Sequence, residues 1–74
     1  NPTAGPLLDA LRAWRAAVAR EHNVPAYAVF HDSTLEAIAA NPPQSLDDLR
    51  DISGIGAKKL ERYGTALLEL ARSV

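Results

Sequence analysis

The sequence predicts an all-α fold, a compact bundle of about five short helices, and three observations lead there. Apolar residues Leu7, Leu11, Trp14 and Val18 recur at spacings of four, three and four, which places them in one stripe of a helix. Helix-stop signals divide the rest of the chain, at Pro25 and at Pro42-Pro43. No stretch alternates apolar and polar residues for long enough to make a convincing strand.

In chain order, "NPTAGP" reads as a disordered lead-in over residues 1–5, with a single domain over residues 6–74. Pro6 suits a first helical turn, where its missing N–H has no partner to lose. The first helix is expected from about Pro6 to Glu21, closing near Asn23, a residue that tolerates a left-handed backbone. In "VPAYAVFHD", Pro25 biases Val24 toward an extended conformation. An extended or single-turn connector fits there, with Val29 and Phe30 as core plugs. Asp32 or Ser33 is placed to cap the next helix, and Glu36 stands at capping-box spacing from Ser33. That helix carries Leu35, Ile38 and Ala39 and must end at Asn41. Ser45, with Asp48 three residues on, signals a short helix holding Leu46 and Leu49. After "DISGIGAKKLERYG" begins a helix at about Ala57. Gly64 is expected to break it, leaving a last helix with Leu67, Leu68, Leu70, Ala71 and Val74.

Seventy-four residues leave room for one core, which buries only about 60–65% of the unfolded surface. There is no cysteine, so disulfides and thiolate metal sites are excluded. No apolar run approaches the roughly 18 residues of a membrane span. The N-terminus has no basic region followed by an apolar stretch, which argues against a signal peptide. Opening at Asn1 suggests an excised domain or a processed fragment. Eight Lys and Arg oppose nine Asp and Glu, a formal net charge of −1, which argues against a strong, self-sufficient nucleic-acid binder. Placement matters more than the total, because Lys58, Lys59 and Arg62 fall within five positions and share one helix face.

The turn "SGIGAKK" admits two readings. Gly54 and Gly56 can permit positive φ around Ile55 and let two helices reverse sharply, with Ile55 anchored in the core. Alternatively, the backbone N–H groups at the start of the following helix can receive a phosphate at its positive end. The spacing is not that of a Walker A loop, and the dinucleotide fingerprint lacks its third glycine and its βαβ setting. His22 and His31 are adjacent in sequence to Glu21 and Asp32 instead of standing at helical zinc-pair spacing, and both read as helix-end residues. No serine sits on a nucleophile elbow. Asp47, Asp48 and Asp51 open a short helix, where its dipole favours negative charge. No catalytic residue, metal ligand or cofactor site is expected.

The ordered features resemble the HRDC (helicase and RNase D C-terminal) domain from about Leu7 to about Ala71. The stretches "LLDALRAWRAAVAREHNVPAYAVFHDSTLEAIA" and "SLDDLRDISGIGAKKLERYGTALLEL" carry the resemblance. "NVPAYAVF" and "GIGAKKLERYG" are especially similar to the domain in bacterial RecQ helicases, and UvrD-like helicases and ribonuclease D carry related ones. The resemblance implies a helical bundle whose glycine turn is like that of a helix-hairpin-helix module. It implies a non-catalytic accessory module of an ATP-binding DNA helicase in DNA repair or recombination, bacterial, cytoplasmic and nucleoid-associated. Single-stranded or branched DNA, bound weakly, is the implied partner. The resemblance nominates Tyr27, Lys58, Lys59, Arg62, Arg15 and Arg12 as contacts, with Gly54 and Gly56 offering backbone to phosphate. A ring at Tyr27 can stack on a base for roughly 1–3 kcal/mol. A monomer is expected. The rival expectation is a protein-interaction or regulatory module that docks on its own helicase core or a partner protein, in keeping with the acidic balance and the acidic strip Asp47, Asp48 and Asp51.

Overall fold

The computed structural model describes residues 5–73 and contains five helices in that span. α1 spans Gly5–His22, α2 Ala26–Val29, α3 Asp32–Ala40, α4 Leu46–Arg50 and α5 Ala57–Ser73. The fold is all-α, as the apolar spacing predicts. α1 begins at Gly5, one residue before the expected start, while residues 1–4 of the expected lead-in and Val74 lie outside the described residues.

α1 buries Leu7, Leu8, Leu11 and Ala19, with Trp14 and Val18 packed at the edge of the core. Its end is closed by Asn23, whose φ of 58° is left-handed. That conformation lets Val24 N–H donate to the Ala19 carbonyl at 2.9 Å and Asn23 N–H donate to Arg20 at 3.2 Å. Two carbonyls that the helix leaves open are satisfied this way, in a Schellman arrangement. The chain then leaves through Pro25 into the single turn α2, which drives Val29 and Phe30 into the interior as expected. Phe30 packs beside Trp14 and Tyr63, with ring centroids 6.0 and 5.8 Å away, and Trp14 meets Tyr63 edge-on at 5.4 Å. Offset and edge-on pairs of this kind add about 0.5–1.5 kcal/mol each beyond their buried area.

α3 starts differently from the expectation. Its cap is His31, extended at φ −75° and ψ 156°, and no side chain caps it. Asp32, expected as a cap, is drawn instead to Arg15, and the Ser33–Glu36 capping box does not form. At the other end, Asn41 closes α3 ahead of the two prolines. α4 is capped as expected: Ser45 Oγ accepts from Asp48 N–H at 3.3 Å. Asp48 returns a carboxylate oxygen to Gln44 N–H at 2.9 Å, one residue earlier than a standard capping box.

The expected break at Gly64 is absent, and α5 runs unbroken from Ala57 to Ser73. Gly64 is buried in the helix because Leu46 of α4 lies against it. A Cβ on Gly64 would stand 2.8 Å from Leu46 Cδ2 and 3.3 Å from Leu60 Cδ1, so the glycine admits a neighbour and does not end the helix. α4 packs on α5, and α1 packs on α2, α3 and α5, around a core that includes Phe30, Leu11, Leu35, Ile38, Leu49 and Leu67.

Candidate nucleic-acid interface

The glycine turn joins α4 to α5 and is built from the inside. Ile52 N–H donates to Leu49 and Ile55 N–H to Ile52, at 3.0 and 3.3 Å, while the Ile55 side chain is buried. Only Gly54 takes a positive φ, 95°; Gly56, expected to share that freedom, does not. Thr34 of α3 explains the first glycine. Buried in the interior, it donates its hydroxyl to the Ser53 carbonyl at 3.2 Å, and its Oγ1 stands where a Gly54 Cβ would be. Around Gly56 the space is open, and its carbonyl accepts from Leu60 N–H at 2.9 Å to begin α5. The first N–H groups of α5 thus follow the turn without intrahelical acceptors.

Beyond this turn, the first two turns of α5 present Lys58, Lys59 and Arg62 along one groove of 370 Å³. Its other walls are His22 at the end of α1, Val24, Ala28 and Val29 of the connector, and Tyr63. The lining contains no carboxylate. Glu61, which sequence spacing sets beside these cations, lines a different groove with Leu46, Ile55 and Leu60. Among the described residues the ion pairs are Arg15–Asp32 and Arg50–Asp47, so Lys58, Lys59 and Arg62 are in none. Lys59 Nζ lies 5.2 Å from the Phe30 ring centroid, and the Arg62 guanidinium 5.4 Å from that of Tyr63. Aromatic faces attract cations and thereby hold both side chains over the groove without neutralising them.

Arg15 and Tyr27 belong to a second depression, lined by Arg15, Ala26, Tyr27, His31, Asp32 and Ser33. α2 separates the two: Ala28 and Val29 face the cationic groove, while Ala26 and Tyr27 face the other. Tyr27 is 65% exposed and stacks on His31, with centroids 6.4 Å apart and planes 26° from parallel. Arg15 is already committed. Its side chain is only 12% exposed, Nη1 donates to the Phe30 carbonyl at 2.9 Å, and Nη2 pairs with Asp32 Oδ1 at 2.7 Å. The hydrogen bond and charge of Arg15, with Arg12 and His31 adding smaller attractions, hold the Asp32 carboxyl below its usual range. Arg12 is exposed on α1 and feels Asp32 from there.

The structure therefore gathers Lys58, Lys59 and Arg62, places Tyr27 across α2 from them, and assigns Arg15 to internal contacts. His22, Val24 and Thr34 join the site although the sequence nominates none of them as a contact, and His31 joins through its ring. Among the described residues no cluster of His, Cys, Asp or Glu is fit to hold a metal ion, and no helix is long and apolar enough to cross a membrane.

Known proteins resemble this chain in sequence and fold. The model of the HRDC domain matches residues 5–71. The chain is 53% identical over 66 residues to the ATP-dependent DNA helicase UvrD2 of Mycobacterium tuberculosis, covering 89% of this chain and 9% of the helicase. It is 39% identical over 64 residues to the ATP-dependent DNA helicase RecQ of Haemophilus influenzae, covering 86% and 10%. The solved structure of D. radiodurans RecQ HRDC domain 3 superposes with a TM-score of 0.86 at 37% identity, over 90% of this chain and 88% of that one. The chain thus spans no more than 10% of the length of these two helicases.

Proposed function

Because the chain belongs to the HRDC domain family, a family of non-catalytic accessory domains, we propose that it serves a DNA helicase by weakly binding single-stranded or branched DNA. The observation that carries this reading is the groove in which Lys58, Lys59 and Arg62 stand together with no carboxylate among its walls. Phosphates fit the cations, the open N–H groups after Gly56 lie at the same end of α5, and Val24 and Ala28 offer an apolar floor. Two or three neutralised phosphates give a log–log salt slope of only about −1.5 to −2 on single strands. Such contact is weak in isolation and becomes useful when a tethered helicase raises the effective concentration to about millimolar. A role in DNA repair or recombination, in a bacterial cytoplasm and at the nucleoid, goes with this reading.

A second reading has its own support. The other flank of α5 carries a groove of 470 Å³ lined by Leu46, Ile55 and Leu60, with Arg50 and Glu61 also in its walls, and Leu46 is 43% exposed there. An exposed apolar groove with charges of both signs suits docking on the helicase core or another protein.

An amide-shift titration with a short single-stranded oligonucleotide at low and then higher salt separates the two readings. Salt-sensitive shifts over Val24–Ala28 and Gly56–Arg62 are expected. A spectrum unchanged at millimolar DNA would sink the DNA reading and leave the apolar groove as the working surface.

A further inference from the structure

We infer that His31 is a nucleobase-contacting residue, forming with Tyr27 a two-ring platform that makes the domain selective for unpaired bases. The inference rests on the DNA reading above and deepens it by naming what lies across α2 from the cationic groove.

An exposed tyrosine ordinarily samples several rotamers, and a ligand must then offset the entropy of fixing it. Here the stack on His31, 6.4 Å between centroids, orients the ring beforehand while leaving Tyr27 65% exposed. The support beneath is rigid. α2 is a single turn anchored by the buried Val29 and Phe30, and Arg15 ties the Phe30 carbonyl at 2.9 Å to the start of α3 through Asp32. His31 has no capping duty to compete with this use, because its side chain makes no cap hydrogen bond. The surroundings are not hostile to a phosphodiester, since Arg12 and Arg15 stand against one carboxylate, Asp32. Ser33, exposed in the same depression, supplies a hydroxyl for a base edge.

The two depressions flank α2 and divide the work. Cations on one side hold the sugar–phosphate chain whatever the bases, and rings on the other require a base face that pairing would hide. Duplex DNA satisfies the first and not the second.

The test compares two ten-nucleotide strands by fluorescence anisotropy at low salt: oligothymidine, and a strand of the same length whose every sugar is abasic. Both carry the same phosphates. The chain is expected to bind the base-bearing strand about tenfold more tightly. His31→Ala should remove most of that preference, His31→Phe should restore it, and Lys58→Ala should weaken both strands by the same factor. Equal affinity of the unsubstituted chain for the two strands would overturn the platform while leaving the groove intact. A preference that survives His31→Ala would overturn the role of His31. Binding of neither strand would overturn the DNA reading and this inference together.

Discussion

Thr34 Oγ1 occupies the space that a side chain on Gly54 would need. The two residues lie on different segments, and the Thr34 hydroxyl is held there by its bond to the Ser53 carbonyl. The glycine is therefore required twice, by its φ of 95° and by its neighbour.

Gly54→Ala is expected to cost about 2–4 kcal/mol, combining a left-handed backbone with an overpacked contact. Thr34→Ala should relieve the contact but not the backbone, so the two substitutions will not add. Denaturant melts of both single variants and the double variant check this. Strict additivity would mean that the contact carries no energy.

Arg15→Ala should destabilise the fold by about 2 kcal/mol, because a charged hydrogen bond to the Phe30 carbonyl is lost from a mostly buried site. Arg15→Lys should recover only part, since a point charge cannot serve the carbonyl and Asp32 with a planar fork. The comparison of melting midpoints decides it. A variant as stable as the parent would return Arg15 to the list of free surface cations.

Asp32 gives the fold a component of acid sensitivity. Its carboxyl is held low in the folded chain by Arg15, so the stabilisation is fully present above the unfolded value, about 3.9, and is lost as pH falls through the lower folded value. Asp32→Asn should accordingly be less stable than the parent at neutral pH, and the gap should close in acid. A constant gap from pH 7 to pH 2 would contradict the pairing.

Lys58→Ala should leave stability nearly unchanged, because Lys58 is exposed and unpaired among the described residues. Single-strand affinity should fall, and the log–log salt slope should become shallower by about 0.7, the value for one phosphate contact. An unchanged slope would take Lys58 out of the interface. Lys59→Ala is a less clean probe, since removing its ammonium from the Phe30 face costs about 0.5–1 kcal/mol of stability as well.

Gly64→Ala should be close to neutral. A gain of about 1 kcal/mol in helix propensity is set against displacement of Leu46, whose exposed tip can swing aside. Gly64→Leu has no such escape and should cost well over 2 kcal/mol. Thermal melts of the pair distinguish a packing glycine from a helix-ending one.

What the sequence discloses here is what depends on neighbours along the chain. Pro25 and Pro42 stop helices by local sterics, Ser45 caps α4 with a backbone three residues away, and the charges of Lys58, Lys59 and Arg62 share a face by helical geometry alone. What it conceals depends on partners brought together by folding. Gly64 has the same local signature as a helix end, and only the approach of Leu46 shows otherwise. Arg15 resembles any solvated arginine until Phe30, 15 residues on, supplies a carbonyl. The separation of Tyr27 from the lysines depends on which side of α2 each segment passes, which spacing cannot tell. Asp32 and Ser33 have the residue type of a cap, but competition from Arg15 for the Asp32 carboxylate lies beyond local pattern.

Phe30 meets both flanks of the surface from within: its ring lies under Lys59, and its carbonyl holds Arg15 beneath the Tyr27 depression. A fully buried residue thereby sets the gauge between the two flanks. An exposed cation such as Lys58, in no ion pair among the described residues, can be exchanged with effect on its own contact alone, unlike these two flanks. The distance between them is not free in that way, for it can be retuned only by repacking the interior, and such a change would shift both contacts at once.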